Sequence, residues 1–229
     1  MLFFSPYDFL LIPAFILALY AQNKVKSTYQ KYRQMKSSSG LTGAQVARQL
    51  LQMNQIYDVQ VQETSGTLTD HYDPRKKILR LSSDIYNSSS VSALGIAAHE
   101  AGHAAQHATG YMPLQVRHSI FPVANIGSTL AIPMFLIGFF FSYSGLAVLM
   151  DIGILLFSGA VIFQLVTLPV ELNASKRALV QLESGGFLRG QEVGAARKVL
   201  SAAALTYIAA TAVAVVHLLR LLFLRGMRD

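Results

Sequence analysis

His99 and His103 stand four residues apart in a chain of 229, and Glu100 follows the first of them, in the run Ala98-His99-Glu100-Ala101-Gly102-His103. The surroundings predict a helix, with Val91, Leu94, Ile96 and Ala97 before the run and Ala104 and Ala105 after it. On a helix, residues four apart lie one turn above each other, so the two imidazoles share a face and can share one metal ion. Glu100 leans toward the same place, where a carboxylate can take a proton from a water that the ion activates. Two histidines and a carboxylate base are most of what a zinc hydrolase needs. The part still to be found is a third protein ligand.

The spacing H-E-x-x-H also occurs in helices that hold no metal. The flanks argue for the metal. Gly95, Ala97, Ala98, Ala101, Gly102, Ala104 and Ala105 are small and apolar, where a solvated face would carry Lys and Glu. Two imidazoles and a carboxylate on a mostly buried helix need a partner that offsets their desolvation, and a divalent cation is one. The chain has no cysteine, so disulfides and thiolate ligands are excluded and the metal must use His and carboxylates.

The elements that position these groups belong to an α+β integral membrane protein. The chain is 52% hydrophobic and only 14% charged, against about a quarter charged in soluble domains. Four apolar runs are long enough to cross a bilayer: 3–22, about 120–141, 146–169 and about 202–224. The first reads as an anchor and not as a cleaved signal, because no basic stretch precedes it and no small-x-small site follows. Pro122 and Pro133 are tolerated inside a membrane helix. The net charge of +7 fits positive-inside topology, and no basic patch interleaved with aromatics suggests a nucleic acid.

Between the spans, Lys24, Lys26, Lys31, Arg33 and Lys36 form a basic flank. Thr42 can cap a helix over 43–54 with Val46, Leu50 and Met53 on one face. Alternation and turn residues predict strands at 58–62, 67–72 and 77–81, joined by Ser65-Gly66 and Asp73-Pro74-Arg75 as a three-stranded meander. Ser88-Ser89-Ser90 supplies the loop and the N-cap of the H-E-x-x-H helix. The organisation is then an anchor (1–23), a catalytic part (24–118), a transmembrane hairpin (119–169), a helical segment (170–200) broken at Gly185-Gly186, and a last span (201–229).

Eleven of the nineteen Lys and Arg lie between the first and second runs and five between the third and fourth, with none in the turn at 142–145. The two rich segments should face the cytoplasm. The hairpin returns the chain to the side it left, so Glu171, just past the third run, shares a membrane face with the H-E-x-x-H helix. A carboxylate between Val170 and Leu172 at a membrane edge needs a partner. That partner is the metal, or else Lys176 or Arg177; the metal's missing ligand favours the first. His107 is the rival ligand, but it lies eight residues from His99, a rise of about 12 Å, too far for both to reach one ion through bonds of about 2 Å. His107 therefore reads as a supporting residue. His71, on a predicted strand beside Asp70 and Asp73, either helps hold substrate or an oxyanion, or is a polar loop residue.

Three runs carry a resemblance: Leu68-Thr69-Asp70-His71-Tyr72-Asp73-Pro74, Ala97-Ala98-His99-Glu100-Ala101-Gly102-His103-Ala104-Ala105-Gln106-His107-Ala108, and Leu168-Pro169-Val170-Glu171-Leu172-Asn173-Ala174-Ser175. Together the chain resembles the YugP-type membrane zinc metallopeptidases of bacteria over nearly its whole length. The stretch from Glu171 to Ala178 is also similar to the E-x-x-A-D-x-x-A pattern of HtpX-like and CAAX-prenyl membrane peptidases. The resemblance implies that Glu171 is the third zinc ligand. Ser175 stands where the wider group has Asp, so the supporting contact made by that Asp would fall to a hydroxyl.

The expectation is a small gluzincin-like unit of helix, meander, H-E-x-x-H helix and third-ligand helix, within about four transmembrane helices. It would be a multi-pass protein of the bacterial plasma membrane that hydrolyses peptide bonds at the cytoplasmic face, on a peptide or a membrane protein. Zn2+ would sit on His99, His103 and Glu171, with Glu100 as base. Two other classes compete. A silent scaffold would hold a structural zinc with four protein ligands, His71 or His107 being the fourth. A metal transporter would use ionisable groups within its spans, for which Asp151 and His217 are the candidates.

Overall fold

Thr42 starts the first helix that matters for the site. Its hydroxyl accepts the N–H of Gln45, and the Gln45 side chain accepts the Thr42 N–H in return, a reciprocal cap for two otherwise unpaired donors. The structure, a computed structural model, describes residues 9–227. The part of the expected first span at 3–8 lies outside them, as do Asp8 and Arg228. Its elements are α1 (Leu11–Arg33), α2 (Gly43–Met53), β1 (Gln60–Thr64), β2 (His71–Asp73), β3 (Ile78–Ser82), α3 (Ser83–Tyr86), α4 (Val91–Ala108), α5 (Met112–Phe140), α6 (Val148–Ser184) and α7 (Gln191–Gly226).

The chain divides into two units. One comprises Gln22–Leu114 and Val170–Leu205, the other Met1–Ala21, Gln115–Pro169 and Thr206–Asp229.

In the first unit α4 is the central element. Ser90 caps it by accepting the Ala93 N–H, as its sequence suggests, and Val91, Leu94, Ala97, Ala98, Ala101, Ala104 and Ala105 are buried. Around it pack Val46, Ala47 and Leu50 of α2, Leu79 and Leu81 of β3, Ala178 and Leu182 of α6, and Ala196 and Leu200 of α7. Val46 and Leu50 are buried as their spacing predicts, whereas Met53 points outward.

The sheet is not a meander. Its order is β1-β3-β2, with β1 parallel and β2 antiparallel to β3. β3 takes the centre because it carries the strongest buried alternation, Leu79 and Leu81 being fully enclosed. β1 offers only Val61, half-buried, between Gln60 and Gln62. Residues 65–77 are long enough for the crossover that a parallel pair requires, about a dozen residues. Asp70 pins that crossover to the far end of β3, its carboxylate accepting both the N–H and the hydroxyl of Ser82.

The second unit is helical. Among the described residues, three helices are long and apolar enough to cross a membrane: α5, α6 and α7. Phe135, Met150 and Leu221 are buried together, while Phe121, Val123, Ile126, Leu155 and Leu165 face outward, a surface that lipid covers better than water. Asp151 forms an ion pair of 2.8 Å with Arg225.

Candidate metal centre

The helical repeat sets His99 above His103 on α4, with ring centroids 4.7 Å apart and planes at 81°. The third group arrives from α6. Glu171 Oε2 lies 3.2 Å from His99 Nε2 and 3.4 Å from His103 Nε2. All three ligand atoms fall within 4.8 Å of one another. Glu171 is 2% exposed, whereas the His99 and His103 side chains are partly exposed, at 14% and 12%. The approach is made possible by small residues: Gly102 on α4 faces the backbone of Ala174 on α6.

Such a cluster cannot stay charged and unpaired when buried. Burial alone would pull the pKa of His103 down. The hydrogen bond to Glu171 and the charge of Glu100 outweigh it, and His103 ends up raised above the ordinary histidine value. Two converging imidazole nitrogens and one carboxylate oxygen are a donor set suited to zinc. Three protein donors match a catalytic zinc, since structural sites are closed by four.

Each histidine is held from behind through its other nitrogen. His99 Nδ1 lies 3.1 Å from Ser175 Oγ. His103 Nδ1 lies 3.0 Å from Gln106 Oε1. Gln106, and behind it Asn173, contact the site without belonging to the H-E-x-x-H motif. The available signal was a lone amide three residues after His103 and on its face, flanked by Ala105 on a helix otherwise lined with small apolar groups.

Glu100 is buried on α4 and does not belong to the donor group. Its charge acts on His103 and also on Asp70, whose carboxyl is raised first by burial and further by Glu100, against the lowering bonds from Ser82. Among the described residues, His71 and His107 also lie outside the donor group. His107 Nδ1 lies 2.9 Å from Tyr72 Oη and joins α4 to β2. His71 is exposed on β2; its Nδ1 is 2.8 Å from the Thr69 carbonyl and its Nε2 3.2 Å from Arg80. The carbonyl only accepts and the guanidinium only donates, so Nδ1 of His71 carries the proton.

A family described as "Putative neutral zinc metallopeptidase" matches residues 7–226. The chain belongs to that family. Zinc is accordingly its metal, and His99, His103 and Glu171 are the group able to hold it. "Putative membrane protease YugP" of Bacillus subtilis (strain 168) is 50% identical over 220 residues, which cover 95% of this chain and 96% of that protein. Its membrane description agrees with the three apolar helices seen here. No solved structure matches the chain.

Proposed function

We propose that this chain is a membrane-embedded, zinc-dependent metallopeptidase that hydrolyses peptide bonds near the cytoplasmic face of the bacterial plasma membrane. The observation that carries the reading is the convergence of His99, His103 and Glu171, from two helices, beside a buried Glu100 that is not itself one of the donors. This is the gluzincin arrangement in outline, with two ligands from H-E-x-x-H and a glutamate from a later helix. Zinc, when bound, supplies Lewis-acid activation of water and of the scissile carbonyl. His99 and His103 would hold it through Nε2, and Glu171 through Oε2. Glu100 takes the proton of the attacking water and delivers it to the leaving amine.

The substrate is an extended peptide or a segment of a membrane protein. β2 lies at one edge of the sheet and is tied to α4 through Tyr72 and His107, so a chain added along β2 would run beside the site. His71, exposed on β2 with its tautomer fixed, would contact that chain. The basic residues concentrated between the apolar runs support the cytoplasmic orientation.

A structural zinc would need a fourth protein ligand, and the nitrogens of His71 and the Nδ1 of His107 are engaged elsewhere, which favours catalysis over the scaffold. The test is cleavage of casein, or self-cleavage in detergent, by wild type and Glu100→Gln. Zinc-dependent cleavage that Glu100→Gln abolishes is expected. Cleavage unchanged by the substitution overturns the reading.

A further inference from the structure

We propose that Gln106 is a positioning residue that dictates which nitrogen His103 offers to the metal, and that Arg177 and Asn173 fix Gln106 in turn. This rests on the reading of His99, His103 and Glu171 as zinc ligands.

Gln106 is 0% exposed. A buried amide between packed helices is tolerated only when its donors and acceptor are paired. Its Nε2 lies 2.8 Å from the carbonyl of Val170 and 3.0 Å from Asn173 Oδ1. The carbonyl can only accept. Asn173 is oriented by Arg177, whose Nε lies 2.8 Å from the same Oδ1. A guanidinium only donates, so the Asn173 atom facing it must be the oxygen. Two acceptors therefore face Gln106 from α6, and its NH2 group must point at them. Reversing the amide would set oxygen against two oxygens.

The rest follows by elimination. With both N–H groups committed to α6, Gln106 turns Oε1 toward His103 Nδ1, 3.0 Å away. An amide oxygen only accepts, so Nδ1 carries the hydrogen. In the neutral ring Nε2 then keeps its lone pair, and Nε2 is the atom that faces Glu171. The donor and acceptor identities thus run without ambiguity from a residue that cannot lose its proton to a metal ligand. His99 is held differently: the hydroxyl of Ser175 can donate or accept, so it steadies the ring without choosing its tautomer. Gln106 has a second effect. Through the Val170 carbonyl it anchors the backbone one residue before Glu171, so one side chain aligns ligands from both helices.

The experiment uses the full chain in detergent, with zinc affinity read by competition with a chromogenic chelator, stability by thermal melting, and histidine tautomers by side-chain 15N NMR of the zinc-loaded protein. Wild type should show His103 protonated on Nδ1. Gln106→Met, close in volume and without polar atoms, should weaken zinc about 10- to 100-fold, the usual effect of losing such a support. Gln106→Glu keeps an acceptor for Nδ1 but loses donors toward α6. It should melt lower than wild type yet bind zinc within a few-fold of it. A residue that merely ties the helices together would make affinity track melting across both variants, and that outcome overturns the proposal. So does a His103 protonated on Nε2, which is read in wild type and needs no variant to fold. His99→Ala is the control. If wild type binds no zinc that His99→Ala loses, the ligand reading itself falls; if the control holds and Gln106→Met binds zinc like wild type, only the role of Gln106 falls.

Discussion

A Cβ placed on Gly102 would lie 2.8 Å from the carbonyl oxygen of Ala174. Gly102 is the residue before His103, and Ala174 lies three residues after Glu171. A close approach of α4 and α6 is therefore built into the metal site, and the second variable position of H-E-x-x-H is constrained by packing. Gly102→Ala should force the helices apart at this point. Overpacking of this kind costs about 1–3 kcal/mol, and the same displacement draws Glu171 away from both histidines. The expected result is a lower melting temperature and weakened zinc binding with helical circular dichroism preserved. Zinc affinity equal to wild type would show that the ligand geometry does not depend on this contact.

Ligands and base separate by their different needs. His99→Ala and His103→Ala should each lose the zinc that wild type retains when purified without chelator. Glu171→Gln removes the anionic donor and should weaken zinc along with activity. Glu100→Gln should keep zinc and lose about 10² to 10⁴ in hydrolysis rate, the range for a general base. Metal analysis beside a cleavage assay decides it: loss of zinc from Glu100→Gln and its retention in Glu171→Gln would reverse the two assignments.

The raised pKa of His103 gives zinc binding a pH dependence of definite sign. Burial lowers it, but the Glu171 hydrogen bond and the Glu100 charge raise it above the ordinary histidine value. Zinc needs the neutral ring, so the proton competes with the metal. Affinity should be greatest above the raised pKa and fall as pH drops through it, with proton release on binding measurable by calorimetry in buffers of different ionisation enthalpy. Metal-free stability runs the other way. A group whose pKa is raised by folding stabilises below its unfolded value and loses that contribution as pH rises through its folded value. The metal-free protein should therefore melt lower as pH rises through that window, and zinc should reverse the trend. Glu100→Gln removes one of the charges that hold the proton, so its zinc-binding midpoint should move to lower pH.

What the sequence made legible was what depends on local chemistry. Thr42 and Ser90 were visible as caps because a cap needs only a few neighbouring residues. His99 and His103 were visible because the helical repeat alone juxtaposes them. Glu171 was within reach because a hairpin of two apolar runs constrains where the chain returns. The strand order was not legible: the turn signals at Ser65-Gly66 and Asp73-Pro74 suit a hairpin as well as a crossover, and what decides is the bond from Asp70 to Ser82, twelve residues away. Met53 has the right period for the buried face of α2, but it lies at the last helical position, where the core has ended. Gln106 lay hidden for a related reason. Its partners Val170 and Asn173 are more than sixty residues distant, and a lone amide near His103 does not by itself reveal what it pairs with.

Orientation can be tested cleanly because the chain has no cysteine of its own. The turn between α5 and α6 contains Ser142–Ser144 and no charge, whereas the segments carrying α4 and the first turns of α7 hold most of the Lys and Arg. If positive residues stay inside, Ser144→Cys should react with a membrane-impermeant maleimide added to intact cells, and Ser38→Cys should react only after lysis. Arg225 is one of the apparent exceptions, since the end of α7 would then lie outside. It is ion-paired with Asp151 near the start of α6, and that pairing lowers the cost of leaving an arginine there. Asp151→Asn should accordingly destabilise α7 without changing zinc content, because neither residue belongs to the unit that holds the metal. Labelling of Ser38→Cys from outside, with Ser144→Cys protected, would invert the topology and move the proposed peptidase site to the outer face, while leaving the ligand set untouched.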